Sequence, residues 1–334
     1  MTKRSTPALE GLPARGDLGK YLDLSPLLPW RHLPRPVDWD QLFQRPGPLV
    51  LEIGTGNGEY AIRQSEAHPE WNLVGLDLCW GSVRRALRRI SQTGRKNIRL
   101  MLVDAKIALE WLFAPESLEH CYALFPCPWP KRAHAHMRLF SQPFLACVAS
   151  RLKPGGSLMV VTDHPVLRDF ILGNLEGTGF TGELRVLPTR YDTKYERRWQ
   201  EMGQTDFYEI HLTRNQPTTA PPNREVTLYT HYAPELHPER FHPQPLRGHL
   251  TIDFKRTLFD PKERVAMVLA AVVEDNLSQN FWIQIREVPL EGGSGHRWSI
   301  SPAPGGGVLP TSGIQKSLDL VYEAAVASAQ CPSV

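Results

Sequence analysis

LVLEIGTGNG, residues 49–58, joins a short apolar run to three glycines at alternate positions. A continuous apolar run of this length predicts a buried strand. Closely spaced glycines after a strand let the backbone turn sharply, approach a ligand and open a helix. We therefore expect a strand, a ligand-binding loop and a helix here. Taken alone, the stretch also fits a tight strand-to-helix turn that binds nothing.

Similar apolar runs recur between Pro48 and Leu212, separated by stretches with helical spacing. Strands that alternate with helices predict an α/β fold with a mostly parallel, doubly wound sheet. Helices are predicted over 59–67, 82–90 and 139–152. The strand-like runs are LVLEIG, NLVGLDL, IRLMLV, CYALFP, GSLMVVTD, ELRVLP and FYEIHL.

Proline-rich segments divide the chain. Residues 215–223 hold three prolines and no apolar periodicity, which predicts a linker between two domains. We expect an N-terminal arm over 1–45, a first domain over 46–214 and a second, α+β domain over 224–330. The arm carries aromatic residues that can pack on the first domain, although a loose tail is also possible. In the second domain, strands are predicted over 225–232, 249–259, 281–288 and 296–301, with helices over 261–276 and 314–329.

Composition limits the classes of protein. The longest apolar run, Ala266 to Val273, is far shorter than the roughly 20 residues that cross a membrane, so we expect a cytoplasmic protein that binds no membrane. The five cysteines form no C-x-x-C pair, which indicates reduced thiols. The net charge is +3, while residues 218–334 hold 10 Lys and Arg against 12 Asp and Glu. This balance permits nucleic-acid binding without requiring it.

Acidic residues stand at the ends of the first three predicted strands. Glu52, Asp77 and Asp104 would meet in one crevice, because the carboxyl ends of parallel strands share an edge of the sheet. Asp77 is placed to accept both hydroxyls of a ribose, and Asp104, followed by Ala105, could accept an adenine amine. Helix N-capping is the alternative role for these acids. The spelling Glu-x-Gly-x-Gly-x-Gly, with Gly54, Gly56 and Gly58, resembles motif I of S-adenosylmethionine-dependent methyltransferases, which implies a Rossmann-like class I methyltransferase fold and that cofactor.

The fourth strand is followed by FPCPWPKRAHAHMR, residues 125–138. Its prolines predict a rigid, non-helical loop at the carboxyl edge of the sheet. Trp129 offers a face for base stacking, and a cluster of cations follows it. The segment therefore predicts a nucleic-acid contact loop, with phosphate contacts from Lys131, Arg132 and Arg138. Arg84, Arg85, Arg88 and Arg89 of the predicted helix 82–90 either add to this surface or form a solvated helix face.

This loop and a second segment resemble the tRNA (guanine-N7) methyltransferases. The loop matches FPxPWPK, and TKYERRWQEMG, residues 193–203, matches the family's T-x-[FY]-E-x-[KR] segment. The likeness covers residues 45–214, and no counterpart of the second domain is recognised. It implies methyl transfer to guanine N7 of tRNA, with Thr193 and Glu196 at the substrate. Two positions depart from the family pattern: Cys127 stands where an acid is usual, and Trp199 where a glycine is typical.

Guanine N7 bears a lone pair and no proton, so direct in-line methyl transfer needs alignment and no obligatory general base. A carboxylate facing the Watson–Crick edge would stabilise the positive charge that develops on the purine. A neutral thiol at Cys127 cannot do this. Asp163 and Glu196 are the remaining candidates, with Glu196 preferred, because Asp163 could be a helix N-cap. Cys127 is expected to be a packed cysteine, with covalent catalysis as the alternative.

Two other functions remain open at this point: a catalytically impaired protein that binds tRNA or cofactor, and a methyltransferase retargeted to another base or a small molecule. The second domain shows no motif that carries chemistry. Its histidines lack metal-ligand spacing, so no metal site is expected. Partner contact or dimerisation is the role left for it by elimination.

Overall fold

The computed structural model describes residues 22–188, 191–204, 206–221, 224–275, 277–290 and 295–330. Two compact units divide the chain, Met1–Pro221 and Pro222–Val334. Residues 1–21 of the predicted arm, residues 222–223 of the predicted linker, and Cys331 lie outside the described residues.

The first unit is a seven-stranded sheet flanked by helices. Its strand order is β3-β2-β1-β4-β5-β7-β6, and only β7 runs antiparallel to its neighbours, so the predicted doubly wound α/β fold is confirmed. Its elements are α1 Trp39–Phe43, β1 Leu49–Ile53, α2 Glu59–Ala67, β2 Asn72–Asp77, α3 Trp80–Thr93, β3 Ile98–Leu102, α4 Ala105–Trp111, β4 Leu118–Leu124, α5 Gln142–Arg151, β5 Leu152–Thr162, α6 Pro165–Leu172, β6 Phe180–Leu187, α7 Lys194–Glu201 and β7 Phe207–Arg214, with 3₁₀ turns at Trp30–His32 and Arg132–Met137.

Apolar spacing explains how the helices pack on this sheet. Helix α3 buries Val83, Ala86, Leu87 and Ile90, which recur at the three- and four-residue intervals of one helix face. They pack against strand residues such as Leu100 in a single apolar cluster. The opposite face of α3 carries the arginines. The helix therefore holds the second and third strands in place beside the glycine loop.

The described part of the N-terminal arm packs its aromatic residues on the first unit. Trp39 stacks on Phe113 with ring centroids 4.8 Å apart. The Trp30 indole donates a hydrogen bond to the Leu102 carbonyl at 3.0 Å. Both tryptophans are buried, so for residues 22–45 the packed arm fits and the loose tail does not.

The second unit is a five-stranded antiparallel sheet in the order β8-β12-β11-β10-β9, with α8 packed on one face. Together with the helix this is the α+β architecture expected from the sequence. Its elements are β8 His231–Ala233, a 3₁₀ turn Pro238–Arg240, β9 Leu250–Asp260, β10 Val265–Glu274, β11 Leu277–Pro289, β12 His296–Pro302 and α8 Ser312–Gln330.

Two predictions about the second unit were wrong. The predicted helix over 261–276 is strand β10 for most of its length, and the strand predicted over 225–232 forms only at His231–Ala233. Ala266, Val268 and Ala270 are buried while their neighbours are less so. An unbroken apolar run fits a buried helix or a strand equally well. This segment forms a strand because it pairs in antiparallel fashion with both β9 and β11.

Across the described ranges, the structure contains no helix with the length and apolar character needed to span a membrane.

Candidate functional site

A cleft of about 650 Å³ opens at the carboxyl ends of β1 to β4. It brings together nine residues selected from the sequence, although they come from five separate segments. They are Glu52, Gly54, Gly56, Asp77, Asp104, Ala105, Cys127, Trp129 and Thr193. The cleft thus joins the glycine loop, the acids at the strand ends and the proline-rich loop. Six other selected residues lie outside its lining: Gly58, Lys131, Arg132, Arg138, Asp163 and Glu196.

The glycines of the loop have two different roles. Gly54 has a φ of +77°, and a Cβ built on it would meet nothing within 4 Å, so its bare backbone borders open space. Gly58 also has a positive φ, but a Cβ there would lie 2.9 Å from the Cβ of Ala86. Gly54 therefore leaves room for a ligand, whereas Gly58 allows the start of α2 to approach α3. From the sequence, Gly54 and Gly58 are both expected to bind the cofactor.

Glu52 is a buried acid at the floor of the cleft. Its side chain is 3% exposed, and its Oε2 has no hydrogen-bond partner among the described residues. Burial raises the pKa of Glu52 to about 8; the nearby Arg63 opposes that rise, and Asp77 adds to it. A buried carboxyl group with an unpaired oxygen is suited to a cationic or hydrogen-bond-donating ligand.

Asp77 and Asp104 are both fixed by backbone N–H groups. Asp77 accepts from Gly56 at 2.9 Å through Oδ2 and from Cys79 at 2.7 Å through Oδ1. Asp104 caps α4 by accepting from the Lys106 N–H at 2.7 Å. The capping interpretation of Asp104 is therefore correct, and the residue also lines the cleft. Carboxylate oxygens have several lone-pair positions, so both acids can still accept from a ligand.

The proline-rich loop is held in an unusual backbone conformation. Phe125 and Trp129, which are not glycines, have φ values of +51° and +43°. Such residues cost on the order of 1–3 kcal/mol each and cluster at functional sites. The Phe125 N–H donates to the Val161 carbonyl at 2.8 Å, and Arg138 donates to the Trp129 carbonyl through Nε at 3.2 Å and Nη2 at 3.1 Å. Arg138 therefore anchors the loop, while Lys131 and Arg132 are exposed beside it.

Cys127 is exposed at the rim of this loop and lines the cleft. The expectation of a packed cysteine was wrong, because the prolines on both sides keep the segment extended and away from the core. The thiol is accessible to a substrate. It is one of four cysteines in the described ranges, and all four are free.

The two candidate carboxylates sit in different environments. Glu196 is 1% exposed; its Oε1 accepts from the Tyr191 N–H at 3.1 Å, and its own N–H donates to Thr193 Oγ1 at 3.1 Å. This is capping geometry at the start of α7. Asp163 is half-buried just beyond β5 and is not an N-cap, since His164 occupies that position. No hydrogen bond or ion pair of the Asp163 carboxylate is found within the described residues.

Sequence reasoning missed an ionic link between distant segments. Glu59, at the start of α2, lies 2.9 Å from Arg89 of α3 and 3.1 Å from Arg197 of α7. Arg63 of α2 also donates to the Tyr191 carbonyl. These contacts fix the segment that carries Thr193 beside the glycine loop. No local pattern signals them, because Arg197 and Glu59 are 138 positions apart.

Comparison with known proteins finds relatives that align with most of this chain. A family described as "Putative methyltransferase" matches residues 46–209. A tRNA (guanine-N(7)-)-methyltransferase of Thermus thermophilus is 34% identical over 75% of this chain and 82% of the relative. One from Deinococcus radiodurans is 30% identical over 83% of this chain and 88% of the relative. Alignments of that extent are longer than the first unit and reach into the second unit, for which no counterpart is recognised from the sequence alone.

Among solved structures, a 16S rRNA (adenine(1408)-N(1))-methyltransferase from Catenulisporales acidiphilia aligns over 54% of this chain and 93% of its own, with 19% identity and a TM-score of 0.41. The sequence relatives are aligned over most of their length at 30% identity or more. The chain therefore belongs to the tRNA (guanine-N7) methyltransferase family.

Proposed function

We propose that this protein transfers a methyl group from S-adenosylmethionine to N7 of a guanine in tRNA. The observation that carries the proposal is one cleft lined both by the glycine loop and Asp77 and by Cys127, Trp129 and Thr193. A nucleoside cofactor and a nucleobase can therefore meet there. Positioning is the main requirement of this reaction, since N7 carries no proton to remove.

The residues around the glycine loop fit the cofactor. Glu52 offers the buried, unpaired Oε2 to the ammonium group, and Asp77 offers its carboxylate to the ribose hydroxyls. The open space at Gly54 admits the methionine moiety. Asp104 and Ala105 border the region left for adenine. When bound, the cofactor supplies a methyl sulfonium as the methyl donor.

The residues of the proline-rich loop fit the nucleic acid. Trp129 presents its ring to a flipped base, and Thr193 has a hydroxyl at the same cleft. Lys131 and Arg132 are exposed beside this loop, where they can contact the RNA phosphates. Arg138 acts indirectly by holding the Trp129 carbonyl.

Asp163 lies outside the lining of the cleft, directly after the end of β5, and is the base-facing carboxylate in this proposal. It is half-buried and has no partner among the described residues. The loop of Cys127 follows β4, which pairs with β5 in the sheet. The Phe125 N–H donates to the carbonyl of Val161, two residues before Asp163. A carboxylate there would accept from the N1 and N2 edge and stabilise the cationic purine. Glu196 acts by positioning Tyr191 and Thr193, which differs from the base-facing role expected from the sequence.

The test is transfer of labelled methyl from S-adenosylmethionine to bulk tRNA, followed by mass spectrometry of the nucleosides. We expect 7-methylguanosine from the unaltered protein. A Cys127→Asp variant, run alongside, restores the acid usual in the family and is expected to act at least as fast. Methylation of another nucleoside, or none with either protein, contradicts the proposal.

A further inference from the structure

We propose that the exposed face of the C-terminal sheet is a second RNA-binding surface, formed by other residues than those of the cleft, that contacts the tRNA substrate. This surface, called here the outer sheet face, is the one opposite α8 and is defined by Tyr232, Arg256, Leu258, Trp282, Arg286 and Arg297. The inference rests on the proposed function, because it assigns tRNA as the ligand.

The strand register places these side chains on one face. Directly opposed residues of antiparallel strands point to the same side of a sheet. Arg286 pairs with Ser299, which pairs with Tyr232. Trp282 pairs with Leu269, which pairs with Arg256.

Helix α8 covers the other side of the sheet, where the alternate residues are fully buried. Ile283, Ile285 and Ile300 pack there with Leu318 of the helix. The outer sheet face has no such cover from α8, and Leu258 and Tyr232 are 47% and 45% exposed.

Several acids of this unit are paired with cations other than the arginines of the outer sheet face. Residues 218–334 are slightly acidic as a whole. Glu287 binds Arg264, Asp275 binds Arg224, and Asp253 lies 3.5 Å from Arg247. In contrast, no described carboxylate forms an ion pair with Arg286 or Arg297. By strand register Asp253 and Asp260 also lie on this face, but Asp253 pairs with Arg247 and Lys255, and neither acid forms an ion pair with Arg286 or Arg297. The outer sheet face therefore carries arginines that have no ion-pair partner among the described residues.

The aromatic residues supply the second element of RNA recognition. The Arg297 guanidinium lies 3.8 Å from the centroid of the Tyr232 ring, and the Arg297 Nε is buried with no hydrogen-bond partner among the described residues. Unstacked RNA bases bind on aromatic rings and on arginine planes, and arginines that accompany such rings hold the backbone. A protein partner would also use the rings, but it would need acidic groups to match the arginines.

The test measures binding of bulk tRNA by fluorescence anisotropy at several salt concentrations between about 50 and 200 mM. The double variant Arg286→Gln/Arg297→Gln is compared with Lys262→Gln/Lys316→Gln, which changes the net charge equally at residues that do not belong to the outer sheet face. We expect the arginine variant to bind roughly 10-fold more weakly, with a salt slope smaller by about two. Its kcat at saturating tRNA should match the wild type, because neither arginine lies at the cleft.

A second pair of variants separates ring stacking from charge. Tyr232→Ala removes the ring, and we expect roughly 5-fold or greater loss of affinity, whereas Tyr232→Phe keeps the ring and should bind as the wild type does. Because Tyr232 is 45% exposed at the edge of the sheet, both variants should fold, which circular dichroism checks.

The outcomes distinguish this inference from the proposed function. If the wild type methylates tRNA and the arginine variant binds like its lysine control, the outer sheet face is not an RNA surface and the proposed function stands. If the arginine variant loses affinity and salt dependence while no guanine is methylated, the surface stands and the proposed function fails. A dimer that the arginine variant abolishes without changing tRNA affinity overturns the inference in favour of self-association. Absence of both tRNA binding and methylation overturns both.

Discussion

Asp77 Oδ2 accepts a hydrogen bond from the backbone N–H of Gly56 at 2.9 Å. The acid at the end of β2 thereby fixes the glycine loop at the end of β1. Its other oxygen accepts from the Cys79 N–H at 2.7 Å, so the carboxylate cannot rotate freely. The glycine loop and Asp77 therefore hold each other in place.

Asp77→Asn tests this arrangement. An asparagine side chain can accept from only one of the two N–H groups. Because it is uncharged, it would also bind the ribose hydroxyls more weakly than a carboxylate does. We expect the affinity for S-adenosylmethionine, measured by calorimetry, to fall roughly 10-fold or more, since hydrogen bonds to charged groups contribute about 1.5–3 kcal/mol. Asp40→Asn, on the exposed face of α1, is the matched control. Equal affinities for the two variants would contradict the assignment.

Glu52 should make stability depend on pH. Burial raises its pKa from 4.5 to about 8 in the folded protein. Between these values the folded state holds a proton that the unfolded chain has released, so the free energy of unfolding falls as pH rises from about 5 to 8. Glu52→Gln does not titrate and should be increasingly more stable than the wild type over this range, by at most about 1.4 kcal/mol per pH unit.

Urea unfolding of the wild type and of Glu52→Gln at pH 5, 6.5 and 8 measures this difference. We expect the two proteins to be close at pH 5, where the wild-type carboxyl group is neutral, and to diverge above it. A difference that stays constant over the three pH values would show that Glu52 is ionised throughout.

Asp163 and Glu196 should differ in how substitution affects the reaction. Asp163→Asn removes a charge proposed to face the base, so we expect kcat to fall about 100-fold with little change in stability. Glu196→Gln keeps an acceptor for the Tyr191 N–H and should retain kcat within several-fold. Single-turnover methylation of bulk tRNA measures both. A larger loss of kcat in Glu196→Gln than in Asp163→Asn would indicate that Glu196, and not Asp163, faces the base.

Gln279 should stabilise the second unit. Its side chain, 3% exposed, donates to the Leu309 carbonyl at 3.0 Å and accepts from the Leu309 N–H at 2.8 Å. Gln279→Leu leaves both buried backbone groups without partners, which should cost roughly 2–4 kcal/mol. Denaturant unfolding followed by circular dichroism measures this loss. The exposed neighbour Asn280, changed to Leu, should alter stability by less than about 0.5 kcal/mol.

Local sequence determined much of the first unit and half of the site. The strand before Gly54 was predictable, and so were the acids Asp77 and Asp104 at the ends of the next two strands. Buried strands, sharp turns and strand-end acids depend on residues close in the chain. In a parallel sheet the carboxyl ends of these strands lie at one edge, so the acids meet there. The basic, proline-rich loop was predictable for the same reason.

Only the tertiary structure decided the remaining features. Glu196 is buried because segments far apart in the chain pack together, as the link of Glu59 to Arg197 illustrates. Strand β10 could not be distinguished from a helix until its neighbours in the sheet were known. The arginines of the outer sheet face are separated along the chain and meet only through strand pairing. Residue type and spacing encode local geometry, whereas burial and the choice of partner depend on which distant surfaces come together.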